Sequence, residues 1–376
     1  MGIFSFGKGL VSIGLDIGTN TFRVAQLKSV SGSPTLVNYG SIKIPVGAVV
    51  EGEVLDVEAV SRSLADLWKK IGLRNKGVII GVANQKVVVR LVELPYMEKD
   101  ELKGAIQYQA QDYIPIPVEE AILDFQVVGE FVGENEARMM EVLLVAAQKD
   151  MIQNNVIAVE NAGLKAEVID VSSFAVIRSL LEAPSVVPAE GEEEAIALIN
   201  IGAGITNIVV VEKGIPRFTR VTSLAGNTFT RALEESLSIS FDEAEELKVT
   251  AGLSSLQEKD KKRGKKSTKQ AERIKAAQET LGSEVGKFVA EIRRSFDYYL
   301  SQRSQVKGIR RVILSGGGAR MSNLTSHLES GLQTTVELGH PLQKVQVAPG
   351  LSREELEQEE LSLAICIGLA LRRFEE

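Results

Sequence analysis

A repeat inside the chain limits what it can fold into more than any other feature. Ile13-Gly14-Leu15-Asp16-Ile17-Gly18-Thr19-Asn20-Thr21-Phe22-Arg23 returns in the second half as Leu198-Ile199-Asn200-Ile201-Gly202-Ala203-Gly204-Ile205-Thr206-Asn207. In each copy a short apolar run ends in a small polar residue, Asp16 or Asn200. Ile, Gly and small residues follow, then a second apolar run, Val24-Ala25-Gln26-Leu27 or Ile208-Val209-Val210-Val211. That pattern predicts a β-hairpin. A glycine at the tip takes positive φ without strain and leaves no Cβ in the way, so a phosphate can approach the backbone N–H groups. Two such hairpins facing each other would grip one polyphosphate from both sides.

At 376 residues the length predicts two or three domains, and 44% apolar with 25% charged residues is ordinary for a soluble globular chain. Lys plus Arg number 43 against 50 Asp plus Glu, a net charge of −7, so nucleic acid is not an expected partner and only a local basic patch is left open. Cys366 has no disulfide partner and no Cys/His cluster around it, and reads as a buried structural residue in a reducing cytoplasm. No apolar run reaches the ~18 residues of a membrane span. The start carries one lysine and a very short apolar patch, too little for a signal peptide, and the chain is expected to be soluble and intracellular. Gly2 to Gly9 mimics a P-loop, but Gly9 stands where Ser or Thr must hold Mg²⁺ and no strand precedes it, so that reading is rejected.

Alternation from Leu36 to Pro45 predicts a third strand that closes an antiparallel meander. Val60, Leu64, Leu67, Trp68 and Ile71 fall at helical spacing over 57–71, with Asp56 or Ser61 as cap and Gly72 as stop. Strands are expected over 77–82 and 87–94. From Leu94-Pro95-Tyr96-Met97 the texture changes to a polar helix over 99–112 and an extended stretch forced by Pro115 and Pro117. Paired strands over 123–129 and 138–147 about a turn at Gly133-Glu134-Asn135, a helix over 149–162 and a strand over 167–171 follow. Residues 94–170 therefore read as an inserted small α+β domain. A helix over 172–181 and an acidic linker over 184–195 lead to the second hairpin, a third strand over 216–223, and helices over 228–237 and 242–250. The segment 259–269 holds seven basic residues and one acid without aromatics, which predicts a solvated loop, with anionic lipid or an acidic partner as the alternative. A long helix over 271–302 leads to a strand over 310–315 and the turn Gly316-Gly317-Gly318. The final helix, 356–374, packs its apolar face into the core or, alternatively, anchors the chain to a membrane.

The duplicated unit, the small-residue turn Leu224-Ala225-Gly226-Asn227, the pair Glu245 and Lys248 on one helix and the late glycine turn together resemble the actin-like ATPase superfamily. That resemblance implies an α/β fold: the duplicated, ribonuclease H-like, two-lobe actin-like architecture with an inserted small domain. The first lobe would comprise 1–93, 171–195 and 356–376, and the second 196–230 and 306–355, with 231–305 as a helical subdomain carrying the basic loop. It also implies ATP and Mg²⁺ as cofactors. Asp16 would hold the metal through water, and Gly18, Thr19 and Asn20 would form the first phosphate turn. Asn200 would open the second, made by Gly202, Ala203, Gly204 and Thr206. Gly226 would lie near the phosphates, Glu245 and Lys248 at the ribose, and Gly316, Gly317 and Gly318 at the adenosine. Glu245 and Lys248 equally suit an exposed helical ion pair worth about a few tenths of a kcal/mol.

Leu94-Pro95-Tyr96-Met97, the run from Glu101-Leu102 through Tyr113-Ile114-Pro115-Ile116-Pro117, Leu123-Asp124-Phe125-Gln126-Val127 and Val142-Leu143-Leu144-Val145-Ala146-Ala147 resemble the PilM family of the type IV pilus machine. Ala162-Gly163-Leu164 and Asp170-Val171 with Phe174-Ala175 continue the resemblance, and that family is similar to the division protein FtsA. This implies an ATP-binding adaptor at the cytoplasmic face of the inner membrane, peripheral to it through a partner. The partner would be the N-terminal cytoplasmic tail of PilN, docked between the first lobe and the inserted domain, where Pro115 and Pro117 keep one wall extended. Communication with the pilus assembly motor ATPase is also implied, and self-association stays open. The chain departs from the family at Asn200, where Asp is usual: an amide carries no negative charge for Mg²⁺ or for polarising water, so weak or absent hydrolysis is expected and no catalytic residue is assigned. Two alternatives stand beside this reading. An actin-fold small-molecule kinase would need a base such as Asp170, and an FtsA-like filament former would carry a terminal amphipathic anchor, whereas the chain stops directly after its last helix.

Overall fold

The computed structural model describes residues 10–133, 136–182, 195–256, 269–302 and 308–375. Residues 2–9, Glu134, Asn135 and nearly all of the linker and of the basic segment 259–269 lie outside them. Both copies of the repeat are hairpins. β1 (Val11–Ile17) pairs antiparallel with β2 (Thr21–Val30), which pairs with β3 (Ser33–Lys43). A short ladder of β4 (Val49–Val50) and β5 (Glu53–Val54) precedes α1 (Val57–Ile71). The Asp56 carboxylate caps α1 by accepting from the Ala59 N–H at 2.9 Å, and Gly72 ends it at φ 65°. The apolar stripe Val60, Leu64, Leu67 and Trp68 seats the helix against the sheet.

β6 (Gly77–Val82) joins the first sheet parallel to β1. β7 (Val87–Pro95) leaves it, and after α2 (Lys99–Gln109) it pairs within a three-stranded sheet formed with β8 (Ala121–Val132) and β9 (Arg138–Gln148). α3 (Lys149–Asn161) and β10 (Lys165–Val171) return to the large sheet, and α4 (Ser172–Leu180) follows. The ladders thus draw the small unit over 87–148, not over 94–170. Ala158, Val159 and Leu164 are buried with α1 and β1, because α3 has its apolar face there.

The second half repeats the plan. β11 (Ala195–Ile201), β12 (Thr206–Glu212) and β13 (Ile215–Thr222) form a meander. α5 (Gly226–Leu237), α6 (Phe241–Ala251) and α7 (Lys269–Ser301) cover it. β14 (Ile309–Ser315) enters beside β11 in parallel, then α8 (Leu324–Leu332) and β15 (Thr335–Leu338) complete a five-stranded sheet of order β13-β12-β11-β14-β15. The chain then crosses back: β16 (Gln346–Val347) pairs with β3 in the six-stranded sheet β10-β6-β1-β2-β3-β16, so these residues belong with the first lobe and not the second. α9 (Arg353–Glu359) and α10 (Ala364–Leu371) are separated by a tight turn over Glu360–Leu363, where one continuous helix was expected. The break has a cause, since the Leu361 carbonyl is turned out to accept from the Gly316 N–H at 2.7 Å.

α4 and α10 lie between the two large sheets and give them one shared core, in which Ile79, Val176, Leu198, Val209, Ile313, Ile365 and Leu369 are buried together. Each such side chain contributes about 1.5–3 kcal/mol on burial. The contact is close because it is made by glycines. A Cβ on Gly14 would stand 2.0 Å from the Cys366 carbonyl oxygen, and one on Gly368 would stand 1.8 Å from that of Ala175. Gly368→Val is therefore expected to lower stability by about 3 kcal/mol or more through overpacking, read as a fall in the thermal or denaturant midpoint. Gly104→Ala, on the open side of α2 with nothing near its Cβ position, is expected not to do so.

Candidate functional site in the interlobe cleft

The parallel pair β11/β14 brings Asn200 beside Ser315, so that the glycine turn after β14 opens next to the tip of the second hairpin. The first hairpin faces both across a cleft of about 690 Å³. Asp16, Gly18, Thr19 and Asn20 line one wall; Asn200, Gly202, Ala203, Gly204 and Gly226 line the other, with Glu245, Lys248 and Gly316, Gly317 and Gly318. Of the residues singled out in the sequence only Thr206 is absent. It is buried, and its hydroxyl donates to the Leu224 carbonyl at 2.8 Å, which ties the start of β12 to the turn after β13.

The turns are tight. A Cβ on Gly18 or on Gly202 would meet the carbonyl oxygen three residues on at 2.8 Å, and Gly316, at φ 84°, has the Ile201 carbonyl 2.4 Å from its Cβ position. The start of α5 is bonded to the second turn: Gly226 N–H donates to the Gly202 carbonyl at 3.0 Å and Asn227 N–H to that of Ala203 at 2.7 Å. Asn227 also crosses to the first lobe, where its side-chain amide and that of Asn20 exchange hydrogen bonds of 2.8 and 3.1 Å. Thr19 lies against Gly204, whose Cβ position is 2.4 Å from the Thr19 Oγ1. The two hairpin tips therefore touch, and a reciprocal amide pair clasps them.

Asp16 sits at the floor. Burial pushes its carboxyl up to about 6, against the pull of the neighbouring Arg23 guanidinium. Asn200 is nearly fully buried and its Nδ2 donates to Ser315 Oγ at 3.1 Å, so its amide nitrogen is committed to the sheet. Lys248 is also buried, and burial lowers its ammonium below the usual lysine range while Glu245 pushes it back up. It donates to Gly226 O at 3.2 Å, Thr230 Oγ1 at 2.8 Å and Glu245 Oε2 at 2.7 Å, so it joins α6 to the start of α5. The pair is thus no free surface pair but a brace behind the second turn.

The sequence reading missed several groups. Arg23 and Asn207 line the cleft because each faces, across its hairpin, the small polar residue that ends the first strand. That register was the available signal. Arg320, paired with Glu359 at 3.3 Å, and Ser362, whose buried Oγ has no hydrogen-bond partner among the described residues, line the side formed by the glycine turn and the broken C-terminal helix. No local pattern announces them, since the break depends on Gly316. Asp170 is not in the cleft: its carboxylate is held by Arg178 at 2.7 Å and Arg372 at 3.0 Å beside the C-terminal segment.

Comparison with known proteins agrees with this geometry. A chain in the solved PilM–PilN type IV pilus biogenesis complex superposes with a TM-score of 0.81 at 28% identity, covering 97% of this chain and 99% of that one. Cell division protein FtsA of Escherichia coli K12 is 24% identical over 314 residues, 80% of this chain and 73% of FtsA. MreB 5 of Spiroplasma citri, solved bound to AMPPNP, is similar in fold alone, with a TM-score of 0.51 and 14% identity over 96% of each chain. Among the described residues no helix is long and apolar enough to cross a membrane. A family model for the type IV pilus assembly protein PilM matches residues 14–374, and the chain, actin-like in fold, belongs to that family.

Proposed function

We propose that the cleft binds ATP with Mg²⁺ and that the chain serves as a nucleotide-binding adaptor of type IV pilus assembly. The observation that carries the reading is the pair of glycine turns facing each other over one carboxylate, Asp16. The residues present fit the group. At Gly18, Gly202 and Gly226 any Cβ would crowd the turn, and its absence lets a ligand come close to the backbone. Asp16 supplies one carboxylate, and Mg²⁺ is commonly held by one or two carboxylates together with substrate phosphates and water. When bound, the metal neutralises phosphate charge. Glu245 and Lys248 would meet the ribose and Gly316 to Gly318 the adenosine. Asn200 adds no charge to the second turn, which supports slow hydrolysis over fast turnover.

The partner we propose is the N-terminal tail of PilN, on the strength of the likeness to a chain solved in a PilM–PilN complex. Its dock would be the groove between the first lobe and the small domain. Ile114 is buried in the small unit's core, and Pro115 and Pro117 beside it are exposed, which leaves them available as one wall of such a dock. Such an adaptor would work at the cytoplasmic face of the inner membrane and transmit its nucleotide state to the assembly motor. The kinase reading loses its proposed base, because Asp170 is spoken for by two arginines. FtsA-like self-association keeps the support of the likeness to FtsA.

Isothermal titration of the full chain with Mg-ATP is expected to detect binding that Asp16→Ala weakens by about 10- to 100-fold. A PilN tail peptide is expected to bind one to one, and no binding with or without ATP would remove the adaptor reading. Asn20→Ala or Asn227→Ala breaks the clasp, worth about one or two hydrogen bonds, so a fluorescent ATP analogue is expected to leave about tenfold faster in stopped flow.

A further inference from the structure

The chain is acidic, with 50 Asp plus Glu against 43 Lys plus Arg, yet the end of the first sheet farthest from the cleft is basic. β1 runs from Val11 at that end to Ile17 at the cleft, about 20 Å away. β2 returns to the same end, where Lys28 faces Val11 in the ladder. β6 and β10 start there parallel to β1: Lys165 is level with Gly77, and its N–H donates to the Lys76 carbonyl at 2.8 Å. Lys69 and Arg74, in and just after the last turn of α1, come to this end because α1 leads directly into β6. Lys28, Lys69, Arg74, Lys76 and Lys165 are all exposed, and among the described residues none of them makes a salt bridge. Several exposed bases elsewhere are paired, as Arg62 is with Glu58, Lys86 with Glu53 and Arg138 with Glu130. The acids that α3 and β10 bring to this end are Glu160 and Glu167, and Arg373 holds the second.

Large apolar side chains stand exposed in the same place. Leu10, where the described chain enters β1, and Val30, at the end of β2, are 41% and 45% accessible. The Ser29 N–H donates to the Leu10 carbonyl at 2.9 Å, which holds the two close together. Residues 1–9 join the fold here, and their sequence holds Ile3, Phe4 and Phe6 followed by Lys8. Apolar groups ringed by unpaired lysine and arginine match the chemistry of an anionic bilayer surface, where the apolar groups reach the acyl boundary and the bases meet the headgroups. An acidic protein surface would satisfy the bases and leave the apolar groups in water.

We propose that this end of the first lobe docks directly on an anionic lipid bilayer, with Lys28, Lys76, Lys165 and their neighbours at the headgroups and Ile3, Phe4 and Phe6 in the acyl boundary. The contact is additional to any made through a partner. It leaves the cleft facing away from the membrane, because Val11 and Asp16 lie at opposite ends of one strand. The small unit also departs from the cleft end, since β7 follows the end of β6, so the dock proposed for the PilN tail is separate from the lipid face. Neither the nucleotide reading nor the tail reading is needed for it.

The test is flotation of the full chain, without PilN, on vesicles of phosphatidylcholine alone or of phosphatidylcholine and phosphatidylglycerol in equal parts. Wild type is expected to float with the anionic vesicles only. It is expected to be released as salt rises from about 0.1 M to about 1 M, which shortens the screening length from about 10 Å to about 3 Å. Lys28→Glu, Lys76→Glu and Lys165→Glu combined are expected to weaken vesicle binding about 100-fold or more, with the wild-type melting temperature kept because all three side chains are exposed. Ile3→Ser, Phe4→Ser and Phe6→Ser combined are expected to weaken it about tenfold or more, and lie outside the described residues, so this variant decides the matter even if the first one melts early. Lys99→Glu, Lys103→Glu and Lys275→Glu combined change the net charge by the same amount on other exposed faces, and are expected to leave vesicle binding at the wild-type level. Wild type that stays off anionic vesicles, equal flotation with neutral ones, equal losses in the two lysine variants, or full binding by the serine variant each overturn the proposal. None of these outcomes bears on nucleotide or tail binding, which titration reads separately.

Discussion

The close approach of glycine to backbone, where α10 lies on β1 and α4, is the constraint on which the remaining structure depends. Gly14 accepts the Cys366 carbonyl against its α-carbon, and Gly368 does the same for Ala175. With any side chain at either position the helix would stand off by more than a bond length, and the two large sheets would no longer share the core of Ile79, Leu198, Ile313 and Leu369. That shared core sets the angle at which the hairpins face each other. The clasp of Asn20 with Asn227 and the contact of Thr19 with Gly204 follow from it, because they join tips whose strands are already fixed.

The cleft is electrostatically lopsided for a reason visible in the register. Both hairpins present a facing pair at the position where the first strand ends. In the first the pair is Asp16 and Arg23, and in the second it is Asn200 and Asn207. At these facing positions only the first hairpin is charged, and there burial raises the Asp16 carboxyl to about 6 while the nearby guanidinium limits the rise. The other wall is held by hydrogen bonds that use up its polar groups: Asn200 to Ser315, Thr206 to Leu224, Lys248 to the start of α5. A wall so committed holds its shape, and at the position matching Asp16 it presents the amide of Asn200 in place of a carboxylate.

Much of this was legible along the chain because its causes are local. The apolar alternation around Asp16 and Asn200 and the stripe from Val60 to Ile71 between Asp56 and Gly72 are short-range patterns, and they became the elements expected. The border of the small unit was not legible. Val87 to Leu94 is an apolar strand that suits either sheet, and only its pairing with β9 decides. The final helix misled for a similar reason, since Glu360 to Leu363 has ordinary helical residues and breaks because Gly316, far away in sequence, claims the Leu361 carbonyl.

By itself the sequence determined that two glycine hairpins exist, that a carboxylate tops the first and an amide the second, and that the texture changes near Leu94, for these are matters of residue type and spacing within a few positions. Tertiary structure alone decided which side chains share the cleft. It brought in Arg23 by strand register, Arg320 and Ser362 by a helix break, and Asn227 by lobe closure, and it withdrew Thr206 and Asp170 into bonds of their own. The physical reason is that a hairpin is specified by neighbours in the chain, whereas a cleft is specified by the distance between two sheets, which here is set by the absence of side chains at Gly14 and Gly368.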